Sequence, residues 1–313
     1  MKDTRTLDFC VIGAQKSGTT SLHYHLTKHP GIELPTEKEA PFFSNKVDLA
    51  KGMDWYIREF FPKASDEKLL GTVTPQYMAY PGIAEIMWKH CPKLKVIAIL
   101  RDPVDRARSH YMMRVRAFGE QRSFQQAILE QLDSKNLDHA RDNPSPSNSF
   151  VVWGEYGRIL SEFLSYYPRE KMLVTFQSDL EKEPNNVVNS IYQFLDLEPL
   201  ETDEFSKRYN IARHDNRVSF SVFFANAIQN KILRQVGKKL IPVRFKRRLT
   251  FWSIINRDIT KVNGNIDVSL TDEVLAKLSQ HFLVDLNMLE VNGVEQVPWR
   301  EKLERECSIG VDQ

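Results

Sequence analysis

One stretch near the start of the chain, "DFCVIGAQKSGTTSLHYHL" (residues 8–26), constrains the fold more than any other. Its first part, residues 8–13, is a short apolar run with β-branched members, which is typical of a buried strand. A Gly/Ser/Thr loop follows, and apolar and histidine side chains then recur at helical spacing until Pro30 and Gly31. The stretch therefore predicts a strand, a loop and a helix in succession.

The same order returns further along the chain. In "PKLKVIAILRDP", Val96–Leu100 is predicted as a strand buried on both faces, and Pro103 can open the next helix. A third such strand is predicted at Met172–Phe176. Further helices are predicted over residues 82–90, 124–132, 157–166, 186–195 and 271–289. Alternating strands and helices indicate an α/β fold with a P-loop-like central parallel β-sheet flanked by helices, and we predict a single domain over residues 1–313.

The loop after the first strand resembles a nucleotide-triphosphate loop, with its lysine displaced. Gly13 and Gly18 have the spacing of the two glycines in G-x-x-x-x-G-K-[ST], but Lys16 precedes the second glycine by two residues. Thr19 and Thr20 stand where that motif has Lys and Ser/Thr. The loop still offers consecutive amides, a helix N-terminus, hydroxyls and one cation, which are the parts of an anion site.

A second candidate anion site follows the strand Val96–Leu100. Arg101 comes directly after this strand, and Ser109 follows it by eight residues. Ligands of open α/β sheets bind at the carboxyl ends of strands, so both sites are expected at one edge. No apolar strand ends in a clear acid for Mg²⁺, so the sequence predicts two anionic groups held without a metal. The alternative is a Gly/Ser turn with an exposed lysine.

Several motifs together resemble the PAPS-dependent sulfotransferases. They are "QKSGTTSL" after an apolar strand, "KEAPFF", "ILRDPVDRARSHY", "KGMDWYIREFFP" and "YYPREKMLVTFQSDLEKEP". The likeness is closer to the heparan-sulfate type and its bacterial relatives, and it spans roughly residues 8 to 200, and more weakly the last helix up to "PW" at 298–299. The resemblance implies the sulfotransferase fold, with PAPS as the co-substrate, PAP as the product and no metal.

The resemblance also implies roles for individual residues. Lys16 would act on the leaving phosphate and the bridging oxygen, and Arg101 and Ser109 would bind the 3′-phosphate. Glu39 of "KEAPFF" matches the family's catalytic base, although without that match a surface glutamate would be the simpler interpretation. The residues that would hold the 5′-phosphosulfate are Gln15, Lys16, Ser17, Gly18, Thr19, Thr20 and Ser21.

The chain departs from the heparan-sulfate pattern at "GTVTPQYM". Thr72 and Val73 stand where those enzymes carry Glu and Lys, and the missing lysine would have served near the sulfate and a polyanionic acceptor. This departure favours a small-molecule acceptor, as in secondary metabolism, over a glycosaminoglycan. The family's C-terminal Lys-Gly-Arg loop and paired cysteines are also absent.

Histidines are the alternative candidates for the base, because related cytosolic sulfotransferases use one. His25 shares a helix face with Leu22 and Leu26 and is predicted to lie in the core, whereas His23 points elsewhere. His110 follows Ser109 and is predicted to border the nucleotide. We assign His23, Thr74 and Tyr77 to the acceptor cavity, with ordinary packing as the alternative for Tyr77.

Composition bounds the remaining possibilities. A net charge of +2 gives no support for a general nucleic-acid binder. The three cysteines form no pattern typical of zinc or disulfides, and Cys10 is predicted in the core. The charged N-terminus lacks the apolar core of a signal peptide, and no apolar run is long enough to span a membrane, so we predict a cytoplasmic protein.

Two segments were hard to assign from sequence. Residues 133–149 are polar with two prolines, which predicts a flexible loop. Residues 217–265 are predicted as a variable basic helical or lid region. Within it, residues 231–248 carry eight basic side chains and no acidic one. This basic patch is a solvated amphipathic helix, a lid over the nucleotide, or a weak contact with a membrane surface or acidic partner.

These observations predict a sulfotransferase that moves the sulfuryl group from PAPS to a hydroxyl or amine of a small molecule. One alternative is a glycan or polysaccharide sulfotransferase. A second is an atypical P-loop kinase, which needs ATP and Mg²⁺. A non-enzymatic alternative is an anion- or membrane-binding module that uses the basic patch.

Overall fold

The computed structural model describes residues 5–36, 38–202, 205 and 265–309, and its centre is a five-stranded parallel sheet. The strands are β1 (Phe9–Gly13), β2 (Ile32–Glu33), β3 (Leu69–Val73), β4 (Lys95–Leu100) and β5 (Met172–Phe176). Their spatial order is β2-β3-β1-β4-β5, and every pairing is parallel. The predicted α/β class and the three predicted strands are confirmed.

Helices cover both faces of the sheet in the described part of the chain. They are α1 (Thr19–Leu26), α2 (Lys46–Leu49), α3 (Met53–Phe60), α4 (Ile83–His90), α5 (Pro103–Phe118), α6 (Phe124–Leu132), α7 (Ser134–Asp142), α8 (Tyr156–Leu164), α9 (Gln177–Lys182), α10 (Pro184–Phe194), α11 (Asp272–Val291) and α12 (Arg300–Ile309). Short 3₁₀-helices occur at Tyr77–Ala79, Val152–Gly154 and Arg169–Lys171. The helices predicted from periodicity lie where expected, within one to two residues at most ends.

Strand β1 separates two apolar clusters because successive side chains of a strand point to opposite faces. Phe9 and Val11 belong to the cluster formed with α1 and α10. Cys10 and Ile12 belong to the larger cluster, which includes residues of α4, α5, α8 and α11. Cys10 is fully buried, so its predicted place in the core is confirmed.

Strand β3 was not predicted, and its pairing with β1 depends on a glycine. Gly71 lies opposite Phe9 in the register of β1 and β3. A Cβ atom at Gly71 would lie 2.1 Å from the Phe9 ring, so any side chain here would displace that ring. The same glycine and the threonine after it weaken the apolar pattern by which a buried strand is detected in sequence.

The prediction of a flexible loop at residues 133–149 is wrong in its first half. Asp133 caps α7, accepting hydrogen bonds from the backbone amides of Lys135 (3.1 Å) and Asn136 (3.3 Å). Leu137 and Ala140 are buried on the inner side of this helix. The polar composition reflects one exposed face of an amphipathic helix. Residues 143–149 are not helical, as predicted.

The predicted basic helical or lid region, residues 217–265, lies outside the described residues except for its last position, and the basic patch 231–248 lies outside them entirely. The assignment of one domain stays a prediction.

Helix α11 packs against α8, and helix α12 contacts the N-terminus of α5. The Asp285 carboxylate accepts hydrogen bonds from the amides of Gly157 (2.7 Å) and Arg158 (2.9 Å), which caps the N-terminus of α8. A Cβ atom at Gly157 would lie 2.1 Å from the Asp285 carbonyl oxygen, so the two helices approach closely at this point. Burial raises the pKa of Asp285 to about 6.

Candidate active site

The candidate site lies where β1, β3 and β4 end. Backbone hydrogen bonds join the three exits: the amide of Ala14 donates to Ile99 (2.8 Å) and that of Thr74 donates to Val11 (3.0 Å). Parallel strands present their carboxyl ends at one edge of the sheet. Strand β1 has β3 on one side and β4 on the other, so the connections along the chain lead to opposite sides of β1, and ligands bind at such a point. The loop after β1 and the residue Arg101 after β4 are therefore neighbours, as predicted.

The loop between β1 and α1 has the backbone of an anion site. Lys16 and Gly18 both have left-handed backbone torsions, with φ of 73° and 91°. Gly18 is the N-cap of α1, no side chain caps the helix there, and its first turn holds no acidic residue. The N-terminus of α1 therefore has no side-chain cap, and the helix dipole favours an anion there.

Lys16 and Arg101 are in direct contact. The Arg101 guanidinium donates a hydrogen bond to the Lys16 carbonyl oxygen (3.3 Å), which joins the loop to the end of β4. Burial lowers the pKa of Lys16, and the charges of Arg101, Arg116 and Lys38 lower it further, while Glu39 acts in the opposite sense. A partly buried cation with several other cations nearby indicates a site with excess positive charge, which suits an anionic ligand.

The remaining predicted nucleotide residues lie on the loop, on the first turn of α1 and on α5, and they differ in exposure. Ser17 and Thr19 are buried in the loop and the first turn of α1, and Thr20 and Ser21 are partly exposed on the same turn. Gln15 is partly exposed, but its Oε1 atom is buried. Ser109 lies two turns along α5 from Arg101 and is partly exposed. The structure brings the loop and Arg101 together; the nucleotide-binding roles themselves stay predictions.

Several polar contacts that were not predicted from the sequence stabilise the backbone at Arg101 and Asp102. Asp102 caps α5 through Oδ1, which accepts from the amides of Val104 (2.8 Å) and Asp105 (3.1 Å). Its other oxygen, Oδ2, accepts from the Lys302 ammonium of α12 at 2.6 Å. The Tyr156 hydroxyl donates to the Arg101 carbonyl oxygen at 2.9 Å. The D-P sequence was a signal for the cap, but nothing in the sequence identified Lys302.

Glu39 lies beside the loop with both carboxylate oxygens engaged. Oε1 accepts from the Lys38 ammonium and Oε2 from the Gln76 amide nitrogen, each at 2.7 Å. The side chain is 19% exposed, and the backbone has φ of 65°. Glu39 is therefore a fixed, partly buried carboxylate, and it acts electrostatically on both Lys16 and His23.

The three candidate histidines occupy different environments. His23 is buried near Glu39, and burial followed by the charge of Lys38 lowers its pKa to about 4. His25 is buried, as predicted, with its ring edge-on to Phe205. His110 is fully buried and stacks on Trp153, with ring centroids 5.0 Å apart. Burial, above all, holds the pKa of His110 well below its usual range.

Thr74 and Tyr77 are both fully buried, in contrast to the cavity positions predicted for them. The Tyr77 hydroxyl donates to the Ala40 carbonyl oxygen (3.1 Å) and accepts from the Phe43 amide (3.2 Å). The Thr74 hydroxyl pairs with that of Thr72 at 3.0 Å. The Tyr77 hydrogen bonds join the segment after Glu39 to the residues that follow β3. The two side chains therefore stabilise the backbone around the site.

A shallow cleft opens beside the loop. Its lining residues are Ala14, Gln15, Pro75, Met78, Ala79 and Trp153. The walls are largely apolar, and no charged side chain lines it. Gln15 places this cleft directly against the anion-binding loop.

Comparison with known proteins identifies the family. A family model described as a sulfotransferase domain matches residues 7–248. The chain belongs to the sulfotransferase family. The resemblance expected from its motifs is thereby confirmed, and the parallel sheet described above is the sheet of this family's fold.

Several known sulfotransferases are similar to this chain. The bifunctional heparan sulfate N-deacetylase/N-sulfotransferase 3 of Homo sapiens is 31% identical, with 87% of this chain and 30% of that protein covered. The membrane-associated sulfotransferase kil1 of Dictyostelium discoideum is 24% identical, with 66% of this chain and 59% of that protein covered. A sulfotransferase crystal structure from Alicyclobacillus acidocaldarius has a TM-score of 0.55 at 28% identity, with 72% of this chain and 93% of that chain covered.

The chain spans 59% of the length of the Dictyostelium protein and 22% of the heparan sulfate N-deacetylase/N-sulfotransferase 2 of Homo sapiens. Among the described residues of this sulfotransferase, no helix is long and apolar enough to cross a membrane. The cytoplasmic location stays a prediction.

No group of three or more His, Cys, Asp or Glu side chains in the described ranges is arranged to hold a metal ion. The expectation of metal-free transfer stays a prediction.

Proposed function

We propose that this sulfotransferase moves the sulfuryl group of PAPS to a hydroxyl or amine of a small-molecule acceptor, with Glu39 as the general base. The observation that carries the proposal is the contact between Lys16 and Arg101 at the uncapped start of α1, beside the fixed carboxylate of Glu39. One region thus combines two cations for an anionic donor with a base for a neutral acceptor.

The residues at the site fit a nucleotide that carries two anionic groups. Burial and neighbouring cations lower the pKa of Lys16, and the charge of Glu39 offsets this only in part. The N-terminus of α1, which no side chain caps, adds a helix dipole that favours an anion at the same place. In the proposed arrangement the loop holds the 5′-phosphosulfate, and Arg101 with Ser109 holds the 3′-phosphate.

The proposed reaction is a direct displacement at sulfur. The acceptor oxygen or nitrogen forms a bond to sulfur while the bond from sulfur to the 5′-phosphate oxygen breaks, so PAP leaves with the electron pair. Glu39 takes the acceptor proton, and Lys16 stabilises the negative charge that develops on the leaving oxygen. A positioned general base contributes about 10²–10⁴-fold to such a rate.

One departure from the heparan-sulfate pattern supports an uncharged acceptor. Val73 replaces the lysine expected of that pattern, so this position offers no cation to attract a polyanion. A glycan acceptor is the second candidate, because heparan sulfate N-sulfotransferases are among the similar proteins. The reaction class is common to both candidates, and they differ in the acceptor alone.

The proposal is tested with isotope-labelled PAPS and two acceptor panels read by mass spectrometry. One panel holds small apolar alcohols, phenols and amines, and the other holds heparan and chondroitin oligosaccharides. We expect labelled products from the first panel, and unchanged rates when EDTA is present. Products from the oligosaccharides alone would favour the glycan candidate.

Calorimetry with PAP and with ATP·Mg²⁺ tests the donor separately. We expect PAP to bind without a metal and ATP to bind much more weakly. Binding of ATP·Mg²⁺ together with no binding of PAP would support the kinase alternative and contradict the proposal.

A further inference from the structure

Gln76 contacts the carboxylate assigned as the base, and none of the roles above includes it. It lies just after β3 at the start of the 3₁₀-helix Tyr77–Ala79, 37 residues from Glu39 along the chain. Its amide nitrogen donates to Glu39 Oε2 at 2.7 Å. Because a carboxylate can only accept, this contact fixes which end of the Gln76 amide faces Glu39.

The other end of the amide does nothing for the fold. The Gln76 Oε1 atom is buried and has no hydrogen-bond partner in the described structure. Gln131 shows what a buried structural glutamine does here: its nitrogen donates to Ser147 (3.3 Å) and its oxygen accepts from the Val151 amide (3.0 Å). Buried polar groups usually have hydrogen-bond partners. The Gln76 amide has one, so we infer that its role is the hydrogen bond to Glu39.

The Gln76 contact completes a support for a residue in a costly conformation. Glu39 has φ of 65°, a region that non-glycine residues occupy only when their surroundings hold them there. Lys38 holds one oxygen of its carboxylate and Gln76 holds the other. The next residue, Ala40, is held at its carbonyl oxygen by the hydroxyl of Tyr77, the immediate neighbour of Gln76.

We propose that Gln76 is a positioning residue that orients the Glu39 carboxylate toward the acceptor. Lys38 supplies charge to one oxygen, and Gln76 supplies a neutral, directional hydrogen bond to the other. The two contacts thereby fix the orientation of the Glu39 carboxylate before the acceptor binds. This inference rests on the proposed function, because it assigns Gln76 a role through the base.

The expected effect of the hydrogen bond follows from its chemistry. A donor that contacts one carboxylate oxygen restricts the orientation of the carboxylate, so its loss leaves the base less well aligned with the acceptor. Among the described residues, Lys38, Lys16 and His23 interact electrostatically with Glu39. All three stay in place in Gln76 variants, which isolates the amide.

The test compares Gln76→Leu, Gln76→Glu and the matched control Gln131→Leu. PAPS is the donor, with 2-naphthol as the probe acceptor and release of PAP by hydrolysis to water as a second readout. We expect Gln76→Leu to lower kcat by about 10- to 100-fold, since small losses of orientation are costly in displacement reactions. The affinity for PAP and the KM for 2-naphthol should change by less than about twofold, since neither ligand contacts the amide in this assignment.

The kinetic profile of the variants separates positioning from structural support. Here the profile is the ratio of kcat to KM across the variants. Gln76→Glu, which places a second carboxylate against Glu39, should lower kcat at least as much as Gln76→Leu, again with little change in KM. Gln131→Leu should lower the Tm and leave kcat unchanged. A kcat equal to wild type in Gln76→Leu, or an equal loss of kcat in Gln131→Leu, would overturn the inference.

Glu39→Gln distinguishes the failure of this inference from failure of the proposed function. If Glu39→Gln loses turnover while both Gln76 variants behave as wild type, the base assignment stands and the role of Gln76 is wrong. If Glu39→Gln keeps full turnover of both 2-naphthol and water, the base assignment fails and the inference fails with it.

Discussion

At the scale of single residues, two strained positions coincide with the two proposed chemical roles. Lys16 and Glu39 are non-glycine residues with positive φ, and such conformations cost about 1–3 kcal/mol each when nothing local favours them. Both are held by contacts from elsewhere in the chain: Arg101 holds the Lys16 carbonyl, and Gln76 holds the Glu39 carboxylate. The site is therefore set by long-range contacts and not by local sequence preference.

Nucleotide affinity should depend on pH through Lys16. Burial, followed by the charge of Arg101, lowers its pKa, so the free enzyme loses this cation at a lower pH than an exposed lysine would. We expect the affinity for PAP to fall as pH rises through that lowered pKa, and Lys16→Arg to remove this dependence, since arginine stays protonated. Calorimetry from pH 7 to 10 measures both.

Loss of either cation should weaken the binding of PAP. We expect Lys16→Ala and Arg101→Ala to raise the Kd for PAP by about 10- to 100-fold, as for a lost contact to a charged group. Lys89→Ala is the control, because Lys89 is exposed on α4 and pairs with Glu85. Wild-type affinity in both site variants would contradict the nucleotide assignment.

Assigning the base to Glu39 or to His23 predicts opposite effects of mutation on kcat. We expect Glu39→Gln to bind PAP normally and to lose about 10²-fold or more in kcat. His23→Gln should keep most of its turnover, because burial and Lys38 lower the pKa of His23 to about 4 and so disfavour the protonated ring. The reverse pattern of kcat would assign the base to His23.

At the scale of elements, helix α12 supports the proposed nucleotide site from outside the residues that the family model matches. The Lys302 ammonium contacts Asp102 Oδ2 at 2.6 Å and Asp105 Oδ2 at 3.3 Å, at the N-terminus of α5. Asp102 follows Arg101 directly, so α12 fixes the turn that directs the guanidinium. Trp299, just before α12, packs its ring against Tyr156 and Phe176 in the same region.

Removal of the Lys302 contact should destabilise the turn at Arg101 and Asp102. We expect Lys302→Met to lower stability by about 1 kcal/mol and Tm by about 2 °C, since the pair is partly exposed. It should also raise the Kd for PAP by a few-fold, through the displaced Arg101. Lys277→Met on α11 is the control, because its ion pair with Glu273 is exposed. Equal Kd values for the two variants would show that α12 does not act on the site.

Helices α7, α8 and α11 meet at one buried carboxylate. Glu155 accepts from Arg141 of α7 (2.7 Å) and from Arg158 of α8 (2.5 Å), and His281 of α11 contacts it at 3.0 Å. Burial alone would raise the pKa of Glu155, but the hydrogen bonds from His281 and Arg141 and the charge of Arg158 outweigh it and lower the pKa to about 2. Glu155 therefore stabilises the fold only while it is ionised.

Acid stability should depend on this cluster. The folded pKa of Glu155, about 2, lies below its ordinary value of 4.5, so the unfolded chain binds the proton more readily. The contribution is complete above about pH 4.5 and is lost as pH falls toward 2. We expect Glu155→Gln to be less stable than wild type at pH 7 and the difference to shrink below pH 4.5. Urea unfolding at pH 7, 4.5 and 3 checks this, with exposed Glu301→Gln as the control.

At the scale of the whole molecule, periodicity predicted the sheet best where its strands are apolar on both faces. β1, β4 and β5 are such strands and were located to within about a residue. β3 was missed because Gly71, needed for the close approach of Phe9, breaks the apolar run. α7 was predicted as a loop because its apolar side consists of little more than Leu137 and Ala140. Residues of small size or mixed character carry too little periodic signal.

The site was predictable in part, for a related reason. The loop with Lys16 and its meeting with Arg101 follow from motif and topology, since both end parallel strands. The contact between Glu39 and Gln76 joins segments 37 residues apart through a left-handed backbone, and no spacing rule anticipates it. The burial of Thr74 and Tyr77 likewise depends on how the segment after Glu39 folds back.

The position of α12 has a practical consequence for anyone who shortens this gene. The family model matches residues 7–248, but Lys302 and the buried Leu303 lie beyond residue 248. A fragment trimmed to the matched region would expose apolar surface on α8 and leave the carboxylate of Asp102 without its cation. The boundary at which the protein can be cut is therefore set by helix docking, and recombinant versions should retain the chain through residue 309.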